Sequence, residues 1–285
     1  MRAKAFSPCH ITGFFGVHIN KSPMRSGSSG AGIVLDRGVT TEVKFEEAEK
    51  QKIEIHAGSE LCDCSVTESV IKAMIDSSPL RIEVNHSIDM PMMQGFGVSG
   101  AGALSTAFAL NKALELCFSD MELGMFAHIA EVENLTGLGD VIAELSGGFV
   151  VRKKAGAPGT GEVLKFEEEA EVYCFIVDSA ISTKDILSDA AVQKKINSAA
   201  EKSLNMLLKS PNLKNFLKVS REFSYTSGLM SHEVRDAVDI LEAGGVNSSM
   251  CMLGGSIFSF SEEAEGLIDL PYIKANIKYE GAKLI

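Results

Sequence analysis

Segments of alternating hydrophobic and polar residues predict β-strands through the N-terminal half of the chain. Arg81–His86 is typical, because every second residue is apolar and one face of such a strand would be buried. Glu42–Phe45 and Ile53–His56 alternate in the same way, and this predicts a pair of strands. Shorter strands are predicted over Ala3–Phe6, Gly32–Leu35 and Phe149–Val151.

Helical periodicity alternates with these strands. Apolar residues recur at helical spacing over Ser65–Ile75 and Ser99–Leu116, and the second of these segments is rich in Ala and Leu. A third helix is predicted to begin after Ser119, because Ser119 and Glu122 have the residue types and spacing of a capping box.

The C-terminal half has a different order of elements. A strand, three helices, a hairpin that turns at Gly254-Gly255 and a last strand follow one another, without repeated βαβ units. The ranges are Val172–Val177, Ser188–Leu208, Asn215–Ser224, Ser231–Ala243, Ser248–Phe260 and Tyr272–Tyr279. The composition changes at Lys153–Glu171, which predicts two domains of an α+β protein, residues 1–160 and 161–285.

Composition and charge narrow the class of protein. The chain has 285 residues, of which 45% are hydrophobic and 23% charged, and these values are typical of a folded globular protein. The formal net charge of −11 argues against a nucleic-acid or anionic-membrane partner. Six cysteines are too few for a disulfide scaffold, and no apolar run is long enough to span a membrane, so we expect a cytoplasmic protein.

The most informative motif is the glycine-rich stretch Pro91–Ala103, which leads directly into a predicted helix. Such a loop presents free backbone N–H groups at the positive end of a helix dipole, so it predicts an anion site suited to a polyphosphate. The spacing Gly95-x-Gly97-x-x-Gly100 also matches the dinucleotide motif of nicotinamide oxidoreductases, although Pro91 interrupts the strand that a Rossmann loop should follow. A structural turn that binds nothing is the third interpretation.

Pro91–Ala103 resembles the P-x-x-x-G-L-G-S-S-A-A motif of the GHMP kinases, which include galactokinase, homoserine kinase and mevalonate kinase. Three more stretches match that superfamily in order and spacing: Pro8–Phe15, Glu131–Val141 and Met252–Phe258. The resemblance covers nearly the whole chain. It implies a two-domain α+β fold, with an N-terminal domain like ribosomal protein S5 domain 2 and a ferredoxin-like C-terminal domain.

Within the superfamily the sequence is similar to the archaeal pantoate kinases in Arg25–Gly32, Gly95–Ala103, Thr136–Val141 and Met252–Gly255. That family phosphorylates pantoate to 4-phosphopantoate with ATP on the archaeal route to coenzyme A. The resemblance therefore implies a small-molecule kinase with ATP and Mg²⁺. Other acceptors of the superfamily, such as homoserine, mevalonate and shikimate, remain alternatives to pantoate. A binding protein without catalytic activity is a further alternative. The sequence leaves the oligomeric state open, and a homodimer is one option.

The resemblance also assigns roles to residues. The phosphate-binding residues would be Gly95, Gly97, Val98, Ser99, Gly100, Ala101 and Gly102. Ser99 would be a Mg²⁺ ligand together with Glu131 or Glu133, of which we favour Glu131; the alternative is that both are surface carboxylates. Asp140 would take the proton of the substrate hydroxyl, and its alternative role is to cap a following helix.

A carboxylate substrate requires a cation, ideally an arginine. Arg25 is the first candidate and Arg152 the second, and each has the alternative of a surface ion pair. Ser28 or Ser29 would bind a hydroxyl of the substrate, and Thr183 would reach it from the second domain. His128 lies three residues before Glu131, so it would share that helix face and either orient a ligand or simply pack.

Overall fold

A computed structural model describes residues 2–58, 60–61, 64–178 and 189–285. These residues form two β-sheets with helices packed on them. The strands are β1 (Arg2–His18), β2 (Gly27–Glu47), β3 (Lys52–Ala57), β4 (Glu60–Leu61), β5 (Leu80–Ile88), β6 (Phe149–Lys154), β7 (Glu162–Phe166), β8 (Glu171–Ile176), β9 (Ser248–Met250), β10 (Ser256–Ser259), β11 (Tyr272–Asn276) and β12 (Lys283–Leu284). The helices are α1 (Ser65–Ile75), α2 (Val98–Leu114), α3 (Asp120–Asn134), α4 (Asp140–Ser146), α5 (Ala190–Lys209), α6 (Leu213–Ser227) and α7 (His232–Ala243).

The larger sheet has the order β12-β1-β2-β5-β3-β4, and β6 joins it by pairing with both β2 and β7. β5 lies between β2 and β3, antiparallel to the first and parallel to the second. Glu42–Phe45 and Ile53–His56 are both confirmed as strands, within β2 and β3, but they are not neighbours in the sheet. Alternation fixes which face of a strand is buried but carries no information about strand order.

Helix α2 packs on β1 and β2 of this sheet, and α1 and α3 pack against α2. The capping box predicted at Ser119 is confirmed, because its hydroxyl accepts from the backbone N–H of Glu122, whose side chain accepts from the N–H of Ser119. Helix α2 is buried over most of its length, in keeping with its small Ala and Gly residues, which allow close packing against β1 and β2.

The smaller sheet has the order β11-β8-β10-β9, and its strands are antiparallel. The predicted hairpin over Ser248–Phe260 is confirmed as β9 and β10. The three predicted C-terminal helices are confirmed within a few residues. Two of them, α6 and α7, pack their apolar faces into the core, where Phe216 of α6 and Phe258 of β10 are both buried.

Strands β1 and β2 are much longer than the predicted segments Ala3–Phe6 and Gly32–Leu35. β1 continues through Pro8 and two bulges, and it contacts α2 on the one hand and α5 and α6 on the other. Pairing with a long neighbour overrides the weak strand propensity of these Gly- and Pro-containing segments. Beyond residue 160, β7 and β12 still belong to the larger sheet, so the division at that residue stays a prediction.

Candidate active site

A cavity of about 540 Å³ opens between the glycine loop, β1 and the connection from α3 to α4. Its size is in the range of small-molecule sites. Met252 and Leu253, from the turn between β9 and β10, close one side, so both sheets contribute to its wall. The predicted site residues that line it are Ser28, Gly95, Gly97, Val98, Ser99, Gly102, Glu131, Asp140 and Arg152.

The glycine loop forms one wall. Gly95 and Gly97 have φ of 83° and 66°, a left-handed conformation that favours glycine, and α2 begins immediately afterwards at Val98. No side chain of the described residues caps this helix end, so the N–H groups of its first turn are available to an anion. Gly100 and Ala101 lie behind the lining residues, and both are buried.

The loop does not have the context of a dinucleotide site. Residues 89–97 separate β5 from α2, and the strand that follows the helices, β6, pairs antiparallel to β2. A Rossmann loop leaves its strand directly and returns to a parallel neighbour. The nicotinamide interpretation of the Gly-x-Gly-x-x-Gly spacing is therefore not supported.

Ser99 and Glu131 meet across the cavity. Ser99 Oγ donates to Glu131 Oε1 at 2.6 Å, and Thr136 Oγ1 donates to the same oxygen at 2.7 Å. Glu131 is 2% exposed, and burial raises the pKa of its carboxyl to about 7. Glu133 is exposed on the other side of α3, so Glu131 is the one of the two that faces the cavity.

Gly137 separates the carboxyl groups of Glu131 and Asp140. A Cβ atom on Gly137 would lie 2.0 Å from Glu131 Oε2 and 3.3 Å from Asp140 Oδ2. Only a residue without a side chain leaves room for Glu131 in its observed position. The Gly137-Leu138-Gly139 turn therefore brings the two carboxyl groups together on one side of the cavity.

Asp140 is the first residue of α4, and Gly139 is its N-cap, so the predicted alternative that Asp140 caps this helix is wrong. Instead, Asp140 Oδ1 lies 2.8 Å from His10 Nδ1. His10 is fully buried, and burial lowers its pKa, so the neutral ring donates from Nδ1 to the carboxylate. Burial raises the pKa of Asp140, but the hydrogen bond from His10 and the charge of Arg152 outweigh it, so this pKa lies below its usual value.

Arg152 lies behind the His10–Asp140 pair. It is 1% exposed, its Nη1 is 3.4 Å from His10 Nε2, and its Nη2 is 3.4 Å from Thr12 Oγ1. Its Nε has no hydrogen-bond partner among the described residues. Burial lowers the pKa of Arg152 to about 10, so the guanidinium is charged at neutral pH and has donors available to an anion.

The structure does not bring every predicted substrate residue into the cavity. Arg25 is exposed at the end of a short 3₁₀ turn and is not part of the cavity wall. His128 is buried on α3, where its Nε2 lies 2.9 Å from the Ser26 carbonyl oxygen, so it holds the 23–26 turn against α3. Thr183 lies outside the described residues.

Sequence reasoning missed two residues of the site, His10 and Thr12. Both lie in the Pro8–Phe15 segment, which resembles the N-terminal substrate motif of the GHMP kinases, so a signal was present. The chemistry of His10 could not be derived from it, because its partner Asp140 is 130 residues away in the chain.

The lining of the cavity also includes a buried histidine, His86. His86 Nδ1 lies 2.8 Å from Thr41 Oγ1, and its Nε2 lies 3.2 Å from Thr67 Oγ1. Burial lowers the pKa of His86 to about 4, so this ring is neutral at physiological pH.

Among the described residues no helix is long and apolar enough to span a membrane.

Comparison with known proteins places this geometry in a family. Residues 65–148 match the GHMP kinases N terminal domain. The chain is 35% identical to the pantoate kinase of Methanocaldococcus jannaschii over 96% of this chain and 100% of that protein. It is 33% identical to the pantoate kinase of Thermococcus kodakarensis over 100% of this chain and 98% of that protein.

Solved structures agree with the sequence relatives. A phosphotransferase related to the CoA biosynthesis pathway superposes with a TM-score of 0.89 at 32% identity, covering 100% of this chain and 99% of the other. A homoserine kinase from Cytophaga hutchinsonii has the same fold, with a TM-score of 0.70 at 18% identity and coverage of 100% and 97%. The α+β, two-sheet architecture is thus that of the GHMP kinases, and the chain belongs to the pantoate kinase family.

Proposed function

We propose that this protein transfers the γ-phosphoryl group of ATP to a hydroxyl of pantoate, giving 4-phosphopantoate and ADP for coenzyme A synthesis. The observation that carries the proposal is the placement of Asp140 and Arg152 in one cavity with the glycine loop. A phosphate site, a carboxylate able to accept a proton and a buried cation are the three groups that phosphorylation of a hydroxy acid requires. The family relationship supplies the identity of the acid.

The phosphates of ATP would lie against the glycine loop. Backbone N–H groups at the start of α2 and the dipole of this 17-residue helix both favour negative charge there. Gly95 and Gly97 allow the backbone to approach a phosphate without a side chain in between.

The residues present fit Mg²⁺. Ser99 and Glu131 offer a hydroxyl and a carboxylate oxygen at the cavity wall, and Mg²⁺ favours one or two such protein ligands together with phosphates and waters. The described part of the chain contains no group of three or more His, Cys, Asp or Glu side chains that could hold a metal ion, so Mg²⁺ would need the phosphates and waters as additional ligands. Bound there, Mg²⁺ would neutralise charge on the transferred phosphoryl group.

Asp140 would act on the substrate hydroxyl. The hydroxyl oxygen forms a bond to the γ-phosphorus while the bond from that phosphorus to the bridging oxygen of ADP breaks, and the hydroxyl proton passes to Asp140. His10 holds the carboxylate in place through its Nδ1–H and keeps it ionised. A carboxylate with a low pKa is a weak base, so its main contributions are orientation and late proton acceptance.

Arg152 would bind the substrate carboxylate. Its guanidinium is buried and has an unpartnered Nε, which is an unusual and costly arrangement unless an anion occupies the site. Ser28 lies at the cavity wall next to the turn at Gly139, where a Cβ atom would meet both Ser28 Oγ and Arg152 Nε. We infer that this corner of the cavity binds the carboxylate and a hydroxyl of pantoate. We also propose that the protein acts in the cytoplasm.

The test is ADP release with Mg·ATP and a panel of pantoate, pantothenate, homoserine, mevalonate and shikimate. We expect turnover with pantoate alone. Turnover of another acid would leave the fold and mechanism intact but overturn the choice of substrate.

Variants test the assigned roles in the same assay. Asp140→Asn should lower kcat by about 10²- to 10⁴-fold while the protein stays folded. Glu131→Gln should lose activity that Glu133→Gln retains, because Glu133 is exposed. A rate near that of the wild type in Asp140→Asn would show that the assigned acid is wrong.

A further inference from the structure

Glu144 is a buried carboxyl group that none of the roles above uses. It lies on α4, one helical turn after Asp140, and is 0% exposed. Neither of its carboxyl oxygens has a hydrogen-bond partner among the described residues. Because burying an unpartnered polar group costs free energy, its presence at this position requires an explanation.

The carboxyl group packs behind the glycine loop. A Cβ atom on Gly97 would lie 2.6 Å from Glu144 Oε1, and one on Gly100 would lie 3.0 Å from Oε2. Gly97 lines the cavity, whereas Glu144 does not. Glu144 therefore packs against the start of α2 without being part of the cavity wall.

The surroundings of Glu144 are negative. The titratable groups that act on it are Asp140 on its own helix and Glu131 on α3, and the Cys9 thiol on β1 also feels its charge. The positive charge of Arg152 acts on Asp140. Burial, and then the charges of Asp140 and Glu131, raise the pKa of Glu144 well above its usual value and so favour the uncharged acid.

We propose that Glu144 is a positioning residue for the phosphate loop: its carboxyl group supports Gly97 and Gly100 from behind, and ionisation of this group weakens nucleotide binding. An ionised Glu144 would compete with the phosphates for the positive end of α2 and would repel them. The inference rests on the proposed function only in that the ligand of the loop is a nucleotide.

The experiment is calorimetric titration of ADP from pH 7.5 to 9.5 at fixed Mg²⁺, without pantoate. The proteins compared are the wild type, Glu144→Gln and Glu144→Met, which keep the side-chain length without a titratable group, and Glu144→Ala. Glu201→Gln, a substitution of an exposed glutamate on α5, is the control. Thermal unfolding of each variant reports whether it is folded.

At pH 7.5 we expect Glu144→Gln and Glu144→Met to bind ADP within about twofold of the wild type, and Glu144→Ala to bind it at least tenfold more weakly. As the pH rises, the wild type and Glu201→Gln should lose affinity for ADP, and the loss should approach tenfold per pH unit once Glu144 ionises. Glu144→Gln and Glu144→Met should not show this loss of affinity.

An alkaline loss of affinity that is equal in Glu144→Gln and the wild type would overturn the proposal, and so would a folded Glu144→Ala variant that binds ADP as tightly as the wild type. If Glu144→Ala does not fold, the comparison of the wild type with Glu144→Gln still decides. Failure of the wild type to bind ADP at pH 7.5 would instead contradict the proposed nucleotide function.

Discussion

Substitution of Gly137 by alanine tests the geometry of the two carboxyl groups without removing either of them. The added Cβ atom would lie 2.0 Å from Glu131 Oε2, whereas ordinary contacts begin near 3.4 Å, so the carboxylate has to move by about 1.4 Å. The backbone of Gly137 is outside the left-handed region, so alanine is compatible with the local conformation. The main perturbation is therefore to the position of Glu131, because the added Cβ atom would lie 3.3 Å from Asp140 Oδ2, only slightly closer than an ordinary contact.

A displacement of this size breaks the 2.6 Å hydrogen bond between Ser99 and Glu131. Because misplacement of a positioning group by about 1 Å can cost about 10²-fold in rate, we expect Gly137→Ala to lower kcat/KM for pantoate by about 100-fold. The Mg²⁺ concentration required for half-maximal rate should rise as well. Gly266→Ala is the control, because nothing lies within 4 Å of the added Cβ atom and its φ is not left-handed.

The assay is ADP release with Mg·ATP and pantoate, together with thermal unfolding of each variant. Glu131→Asp withdraws the carboxylate by about 1.5 Å, the length of one C–C bond, so it should relieve the clash in the Gly137→Ala background. We expect the double variant to be less impaired than the product of the two single effects. A folded Gly137→Ala enzyme with nearly wild-type kcat/KM would refute the assignment of Glu131.

Three further predictions concern buried side chains. His10→Asn keeps an amide nitrogen at the position of Nδ1 and should retain most of kcat. His10→Gln loses that donor, so kcat should fall at least tenfold and the acid limb of its pH profile, set by Asp140, should move to higher pH. Arg152→Lys should raise KM for pantoate at least tenfold with KM for ATP unchanged, since a single ammonium does not replace a guanidinium. The pKa of His86 is about 4 in the folded protein and 6.5 in the unfolded chain, so the stability that its neutral ring contributes is present above pH 6.5 and is lost as the pH falls. The free energy of unfolding in urea should therefore decrease by about 2 kcal/mol between pH 8 and pH 5. The His86→Gln variant should not show this decrease.

Local sequence signals predicted the helices well. The limits of α1 were predicted at Ser65 and Ile75, and the capping box at Ser119 was identified from residue types and spacing alone. These features depend on contacts within a few residues, so the sequence contains all the information that they need. The glycine loop and its helix were found for the same reason.

Long-range pairing was less accessible. The lengths of β1 and β2, the insertion of β5 between β2 and β3, and the return of β12 to the edge of β1 depend on partners far away in the chain. Strand β7 was not predicted, because five residues give too little periodicity, and the short helix α4 was considered only as the helix that Asp140 would cap.

The sequence by itself determined the type of chemistry: a glycine loop before a helix, an acid after a Gly-x-Gly turn, and a family resemblance that relatives at 31–35% identity bear out. Only the tertiary structure decided which side chains share the cavity. Glu131 and Arg152 line the cavity whereas Glu133 and Arg25 do not, and His10 meets Asp140 across 130 residues of the chain. The physical reason is that burial and hydrogen-bond partners, which set the charge and orientation of these groups, are created by packing between distant segments.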